Sequence, residues 1–264
     1  MAREQNSKCR LQVRNLTVSF GARVIQHDLN FTVRHGSIFA IMGGSGCGKS
    51  TVLKAMIGLL RPASGTVAVD GEEYWAARTA RRAEIGRRFG VLFQNGALWS
   101  SMTVAENVAL PLRMFTNLGP VAIATLVDLK LAFVGLTQAA ARMPSELSGG
   151  MRKRAALARA LALDPEVLFF DEPSAGLDPI TSKRLDDLIL ELSQGFGATV
   201  VIVSHELPSL FAICDDGIFL DAESKTAVAY GSPRSMRDHS DHPTVRAFMD
   251  RGTPGHALTK EAQR

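Results

Sequence analysis

The sequence contains no apolar run approaching the ~20 residues that a helix needs to cross a bilayer. Its N-terminal stretch, MAREQNSKCR, lacks the apolar centre of a secretory signal. The expectation is a cytosolic chain, held by another chain if it works at a membrane. Cysteine is scarce. Cys9, Cys47 and Cys214 are scattered without metal-ligand spacing, which argues against a disulfide framework or a cysteine metal site and fits reduced thiols. No internal repeat or low-complexity run is present. Excess charge is small, at +4. The basic residues gather at Arg78–Arg88 and Arg152–Arg154, where a solvated helix face and phosphate ligands account for most of them; no nucleic-acid partner is expected. What is present is 264 residues, 46% of them apolar, enough for a full core and a subdomain.

The chain is organised around Gly43-Gly44-Ser45-Gly46-Cys47-Gly48-Lys49-Ser50-Thr51, which fits G-x-x-x-x-G-K-[ST] from Gly43 to Ser50. Ser37–Met42 reads as a buried strand before it, and Thr51–Leu60 as a helix after it, stopped by Arg61-Pro62. Glycines let backbone N–H groups converge on phosphate oxygens, and the helix N-terminus adds its positive dipole end. Lys49 can then reach the β- and γ-phosphates, and the Ser50 hydroxyl can ligate Mg²⁺. Cys47 fills a variable loop position as a small residue.

Upstream, Leu11–Phe20 alternates apolar and polar, and Leu29, Phe31 and Val33 restart that alternation, so two strands precede the loop. Phe20, before a glycine turn, either stacks on an adenine ring or fills the core. Downstream, Gly65–Val69 reads as a strand, the basic segment to Arg88 as a solvated helix, and Phe89–Phe93 as a strand ending at Gln94. Gln94 is a ligand for metal or water, or a plain loop residue. From Asn95 to about Ala162 helical periodicity replaces strands, over Val104–Met114, Val121–Val134 and Met151–Leu163. This reads as an all-helical insertion between two halves of an α/β core. Ser148 can cap its last helix, and Gly149 and Gly150 permit close approach to an anion. Arg152, Lys153 and Arg154 oppose the dipole there, which makes sense if an anion arrives.

Val167–Phe170 is fully apolar, as strands buried on both faces of a parallel sheet are, and it ends in Asp171-Glu172. Asp171 can hold Mg²⁺ through water and Glu172 can deprotonate the attacking water; a solvated strand end is the bland alternative. Lys183–Leu192 reads as an amphipathic helix. Ala198–Ser204 reads as another buried strand, followed by His205, a γ-phosphate partner or a structural histidine. Gly217–Leu220 and Val228–Tyr230 form a final hairpin, and beyond Ser232 only Val245–Met249 is apolar.

Together these motifs resemble the nucleotide-binding subunits of ATP-binding cassette transporters, over residues from about 10 to 235. Gly43–Ser50 is similar to their Walker A loop, Gln94 to the Q-loop glutamine, and Leu147–Gly150 (LSGG) to the signature. Val167–Glu172 resembles Walker B with its catalytic glutamate, Gly176–Asp178 the D-loop, and His205 the switch histidine. Phe20 falls at the adenine-stacking aromatic. The resemblance implies an α/β P-loop NTPase with a RecA-like core (10–94 and 163–235), an N-terminal antiparallel β subdomain, an inserted helical subdomain (95–162) and a C-terminal extension (236–264). It implies ATP and Mg²⁺, the metal held by Ser50, Gln94 and Asp171. Glu172, His205, Gln94 and Lys49 would be catalytic. It also implies a head-to-tail homodimer in which Ser148, Gly149 and Gly150 act on the partner's nucleotide.

Met151 stands where the signature usually continues with Gln. LSGGM is similar to ATPases that energise lipid transport with an MCE-domain partner, including the Mla-type phospholipid transporters of Gram-negative envelopes. Leu92–Arg113, Met143–Leu163, Phe170–Thr181 and Ser240–Arg251 resemble that subgroup as well. This implies an integral-membrane permease, a periplasmic MCE-domain protein, a small cytosolic STAS-domain regulator, and a place on the cytoplasmic face of the inner membrane. Leu98 and Trp99 would either face the permease or pack within the insertion, and the tail after Ser232 would either contact the dimer mate or form a loosely ordered terminus. The alternatives are a cassette ATPase for another substrate, such as an amino acid or a solvent, or a soluble cassette protein without a transporter. A phosphate-loop kinase would not need LSGG.

Overall fold

The computed structural model describes residues 9–250. Two sheets share one core. The first is antiparallel, in the order β2-β1-β4-β5, from β1 (Cys9–Phe20), β2 (Arg23–Arg34), β4 (Ser64–Val69) and β5 (Glu72–Glu73). The second, in the order β10-β9-β3-β8-β7-β6, uses β3 (Ile38–Gly43), β6 (Phe89–Leu92), β7 (Val167–Asp171), β8 (Thr199–Val203), β9 (Asp216–Leu220) and β10 (Ala227–Tyr230). Its strands pair in parallel except β10, which returns antiparallel on β9 as the edge. β3, β7 and β8 are buried at every position, because both faces of this sheet are covered.

One face packs against the antiparallel sheet and α1 (Lys49–Met56), through Leu11, Val18, Phe39, Leu53 and Phe169 among others. The opposite face packs on helices, through Leu168, Phe170, Val200 and Ile202. Each large apolar side chain fully buried there contributes ~1.5–3 kcal/mol. Between β6 and β7 lie α3 (Val104–Phe115), α4 (Pro120–Phe133) and α5 (Gly149–Ala160). These helices join the same cluster, so the helical insertion shares its core with the sheet. Gly90 in β6 lets α5 approach closely, since a Cβ there would lie 2.5 Å from the Ala160 carbonyl oxygen.

The basic segment forms α2 (Thr79–Arg87), with Ile85 its buried residue. Its charges are largely engaged: Arg81 bonds Glu72 and Glu84, and Arg82 lies over the Trp75 ring. Arg10, Asp70, Arg88 and Glu166 form one ionic knot tying the antiparallel sheet to the base of the parallel one. Arg88 and Arg10 hold the Glu166 carboxyl below its ordinary pKa.

Beyond β7, α6 (Pro179–Leu190) starts four residues before the amphipathic pattern does. Asp178 accepts from the N–H groups of Ile180 and Thr181, with Pro179 in the first turn, a start signal that apolar spacing alone misses. After β8 and α7 (Leu207–Ile213), the chain ends its described part in α8 (Pro233–His239) and α9 (Pro243–Met249). α8 runs across the boundary placed at 235/236. Met236, Val245, Phe248 and Met249 are buried against Ala40, Met42 and Phe219 of the same chain. The apolar patch of the tail therefore serves its own core, while residues 251–264 lie outside the described residues. Met249→Ala should lower unfolding stability by about 2–5 kcal/mol in a urea titration, the usual cost of emptying a buried site of that size.

Candidate functional site

β3 delivers the chain into the phosphate loop at Gly43. Here φ is +146° and a Cβ would meet the Leu220 carbonyl oxygen at 2.4 Å, so only glycine fits between the neighbouring strand and the loop. Gly48 caps α1 in a left-handed conformation with no side-chain cap, leaving the first helical N–H groups to an external acceptor. Lys49 is buried and donates to the carbonyls of Gly43 and Gly44, each at 2.9 Å, so its ammonium bridges the start of the loop.

Above the loop is an open cavity of about 630 Å³, the size of a small-molecule site. Gly44, Ser45, Gly46, Gly48, Lys49, Ser50 and Thr51 line it, and so do Phe20, Gln94, Glu172 and His205 from four other segments. Phe20 is 55% exposed, which settles its placement: it is an aromatic face at the cavity and not a core residue. Arg23, Ile25, Leu207 and Phe248 line the cavity too and carry no motif. Phe248 belongs to the tail, and only tertiary packing brings it here.

Cys47 does not face this space. Its sulfur is buried beneath Gly43, and burial pushes the thiol pKa up, away from the reactive thiolate. Its backbone is engaged too: the N–H donates to the Gly44 carbonyl at 3.4 Å, and the carbonyl accepts from Gln26 Nε2 at 2.7 Å.

At the end of β7 the Ser50 hydroxyl donates to Asp171 Oδ1 at 2.8 Å. Burial raises the Asp171 carboxyl pKa, and the Ser50 bond opposes that rise. A hydroxyl and a carboxylate side by side at the loop are the hard-oxygen donors that Mg²⁺ takes alongside phosphate and water. Among the described residues no group of three acids, histidines or cysteines forms a self-sufficient metal cage.

The next residue, Glu172, is 8% exposed with φ +51°. Its N–H donates to the Val203 carbonyl at 2.8 Å, and Oε1 lies 2.9 Å from His205 Nδ1. Oε2 is buried and has no hydrogen-bond partner among the described residues.

Ser148, Gly149 and Gly150 do not line the cavity. They sit at the start of α5, where Ser148 accepts from the Met151 N–H at 3.3 Å. The basic run behind them departs from expectation. Arg152 is exposed, but Lys153 is buried on the carbonyls of Glu172 and Ala175, and Arg154 donates to the Val134 carbonyl. Two of the three cations thus satisfy backbone inside the chain rather than await an anion. Arg159, unmarked by any motif, donates to the carbonyls of Gly96 and Ala97 at 3.0 and 2.7 Å and holds the loop after Gln94. Its Ala-rich helical context hides the role. In that loop Leu98 packs on the helical core, whereas Trp99 is 58% exposed and does not pack within the insertion.

A glycine loop with its lysine, a strand-end Asp-Glu pair and a facing histidine define a phosphate-loop nucleoside triphosphatase on an α/β sheet. The ABC transporter family model matches residues 26–175, and the chain belongs to that family. It is 43% identical, over 94% of its length and 91% of theirs, to the Escherichia coli intermembrane phospholipid transport system ATP-binding protein MlaF. The Haemophilus influenzae protein of the same name is 42% identical, over 89% of each chain. The probable ribonucleotide transport ATP-binding protein mkl of Mycobacterium tuberculosis is 42% identical over 91% of this chain but 66% of its own. In structure, the chain is similar to the dimeric ATP-binding cassette MJ0796 in a post-hydrolysis state bound to ADP and Pi. There the TM-score is 0.77 and the identity 28%, over 84% of this chain and 98% of that one. It is also similar to cbiO1 from Clostridium perfringens, part of the transporter complex cbiONQ, with TM-score 0.80 and 26% identity over 95% and 99%.

Proposed function

We propose that this chain is the ATP-hydrolysing subunit of a phospholipid transporter, acting as one of two copies that clasp nucleotide between them beneath a separate membrane permease. The hydrolytic part is supported above all by Glu172, a buried carboxylate at the loop cavity with one oxygen on His205 and the other unpartnered. Phe20 stacks the adenine, and the loop N–H groups with Lys49 take the phosphates. His205 holds the γ-phosphate, Glu172 takes the proton of the attacking water, and Gln94 orients that water. Ser50 and Asp171, with Gln94, fit a Mg²⁺ ion arriving with the nucleotide, and bound Mg²⁺ supplies positive charge against the phosphate oxygens.

The signature residues lie outside the chain's own cavity, which supports the reading that a second copy completes it. ATP then adds contacts that favour the closed pair, and hydrolysis removes them. The cargo reading rests on the MlaF relatives, matched along nearly their full length, whereas the mkl relative is matched along 66% of its own. By the same reading the permease carries a periplasmic MCE-domain protein, and a small STAS-domain protein regulates the cytosolic side. No helix among the described residues is long and apolar enough to cross a membrane, so the permease would supply the attachment to the cytoplasmic face. Exposed Trp99 and the outer face of α3 offer it a surface.

The test is reconstitution of the full chain with its permease in phospholipid vesicles. Transfer of labelled phospholipid to acceptor vesicles should require both ATP and this chain. ATPase stimulated by a ribonucleotide, an amino acid or a solvent, with no lipid transfer, would assign another cargo.

A further inference from the structure

Lys153 stands one turn into α5, four residues after Gly149, and is 8% exposed. A buried ammonium must replace its lost hydration with protein acceptors. Among the described residues those acceptors are carbonyls: Glu172 O at 3.1 Å and Ala175 O at 2.6 Å. They are the first and fourth residues of the turn that leaves β7. The Ala175 N–H also donates to the Glu172 carbonyl, at 3.3 Å, so the ammonium clamps a turn from outside. That turn begins in the left-handed region, at φ +51°, which is unfavourable for a residue with a Cβ and persists only where its surroundings hold it. The Glu172 N–H is held by Val203, and its carbonyl is turned toward α5 and taken up there. Burial presses the Lys153 pKa down, while the Glu172 and Glu206 carboxylates pull it up.

One side chain therefore spans two functional ends. Its helix begins with Ser148-Gly149-Gly150, and its amine grips the backbone of Glu172. We infer that Lys153 is a positioning residue for hydrolysis, fixing the backbone that aims Glu172 so that engagement of this helix N-terminus with the other copy's nucleotide sets the base. The inference rests on the reading of Glu172 as the base and of the site as shared between two copies. A lysine serves because three freely turning donors reach two carbonyls at once, whereas a thioether of similar reach supplies none.

The test uses the full chain in its permease complex, with Lys153→Met, Lys153→Gln and Lys153→Arg. Lys153→Met should lower kcat for ATP about 10- to 100-fold, the scale of a base displaced by roughly an ångström. KM for ATP should stay within about twofold, since the cavity contacts are untouched. Lys153→Arg, which keeps charge and donors, should recover most of kcat. In a Glu172→Gln background, Lys153→Met should still form the ATP-bound dimer. If Lys153→Met does not fold, Lys153→Gln carries the same kcat-against-KM comparison. A Lys153→Met kcat within about twofold of wild type, a KM that rises in step with the fall in kcat, or an arginine variant as impaired as methionine would overturn the inference. Failure of the base assignment is read separately: turnover that persists in Glu172→Gln alone removes that reading whatever Lys153 does.

Discussion

Glu172→Gln should lower ATP turnover by about 10²–10⁴-fold, the usual contribution of a positioned general base, while the ATP-bound dimer accumulates. The substitution is nearly isosteric and keeps the backbone bonds that hold the residue, the N–H to Val203 and the carbonyl to Lys153. What it removes is an anionic oxygen. On the proposed reading Oε2, which has no hydrogen-bond partner among the described residues, accepts the proton from water, and an amide at that place is no base. On the same reading binding falls to other groups, the loop N–H donors, Lys49 and Phe20, and should survive. Phosphate release measured with size-exclusion chromatography separates the two effects. Near-normal hydrolysis by this variant would remove Glu172 from the mechanism.

The second large effect is expected at Gly149. A Cβ built there meets nothing within 4 Å, so the fold of the chain tolerates a side chain. Gly150 differs, because its Cβ would press on Thr181 at 2.5 Å. An aspartate at 149 places negative charge in the first turn of α5, where the helix dipole favours it by about 0.3–1 kcal/mol. Gly149→Asp should therefore match or exceed wild type in unfolding stability and bind ATP at its own loop. It should nevertheless lose hydrolysis by about 10²-fold or more, because the new carboxylate would face the triphosphate of the other copy, where like charges in a closed site cost several kcal/mol. Mixing gives the sharper test. A Gly149→Asp chain and a Lys49→Ala chain should each be inactive alone. In their mixed dimer one site joins an intact loop to an intact signature, and hydrolysis should return. Continued inactivity of the mixture, with mixed dimers present, would mean that loop and signature act within one chain.

Much of this site was legible before any coordinates. The phosphate loop announces itself because converging N–H groups require glycines at set spacing. β7 and β8 are readable because strands buried on both faces must be apolar throughout. The strand ends then place Asp171, Glu172 and His205 at one edge of the sheet. Placement of Phe20 is open in the sequence because an aromatic beside a turn suits both a core and a ligand; its 55% exposure excludes the core. The basic run after the signature misled because charge was read by proximity to a helix start. The hydrogen bonds of Lys153 depend on a turn 19 residues away, and those of Arg159 on a loop 62 residues away. Neither distance has a local period.

The sequence by itself determined the layout of the chemistry: which residues form the glycine loop, which carboxylates end a buried strand, and which glycines start the signature helix. Those follow from short-range stereochemistry, where spacing along the chain dictates geometry. Tertiary structure alone decided the wiring. It turned the Cys47 sulfur inward, split Leu98 from Trp99, laid the tail on its own core with Phe248 at the cavity, and bound the signature helix to the backbone of Glu172. The reason is that a buried donor must find an acceptor wherever packing leaves one, and packing is settled by the whole fold.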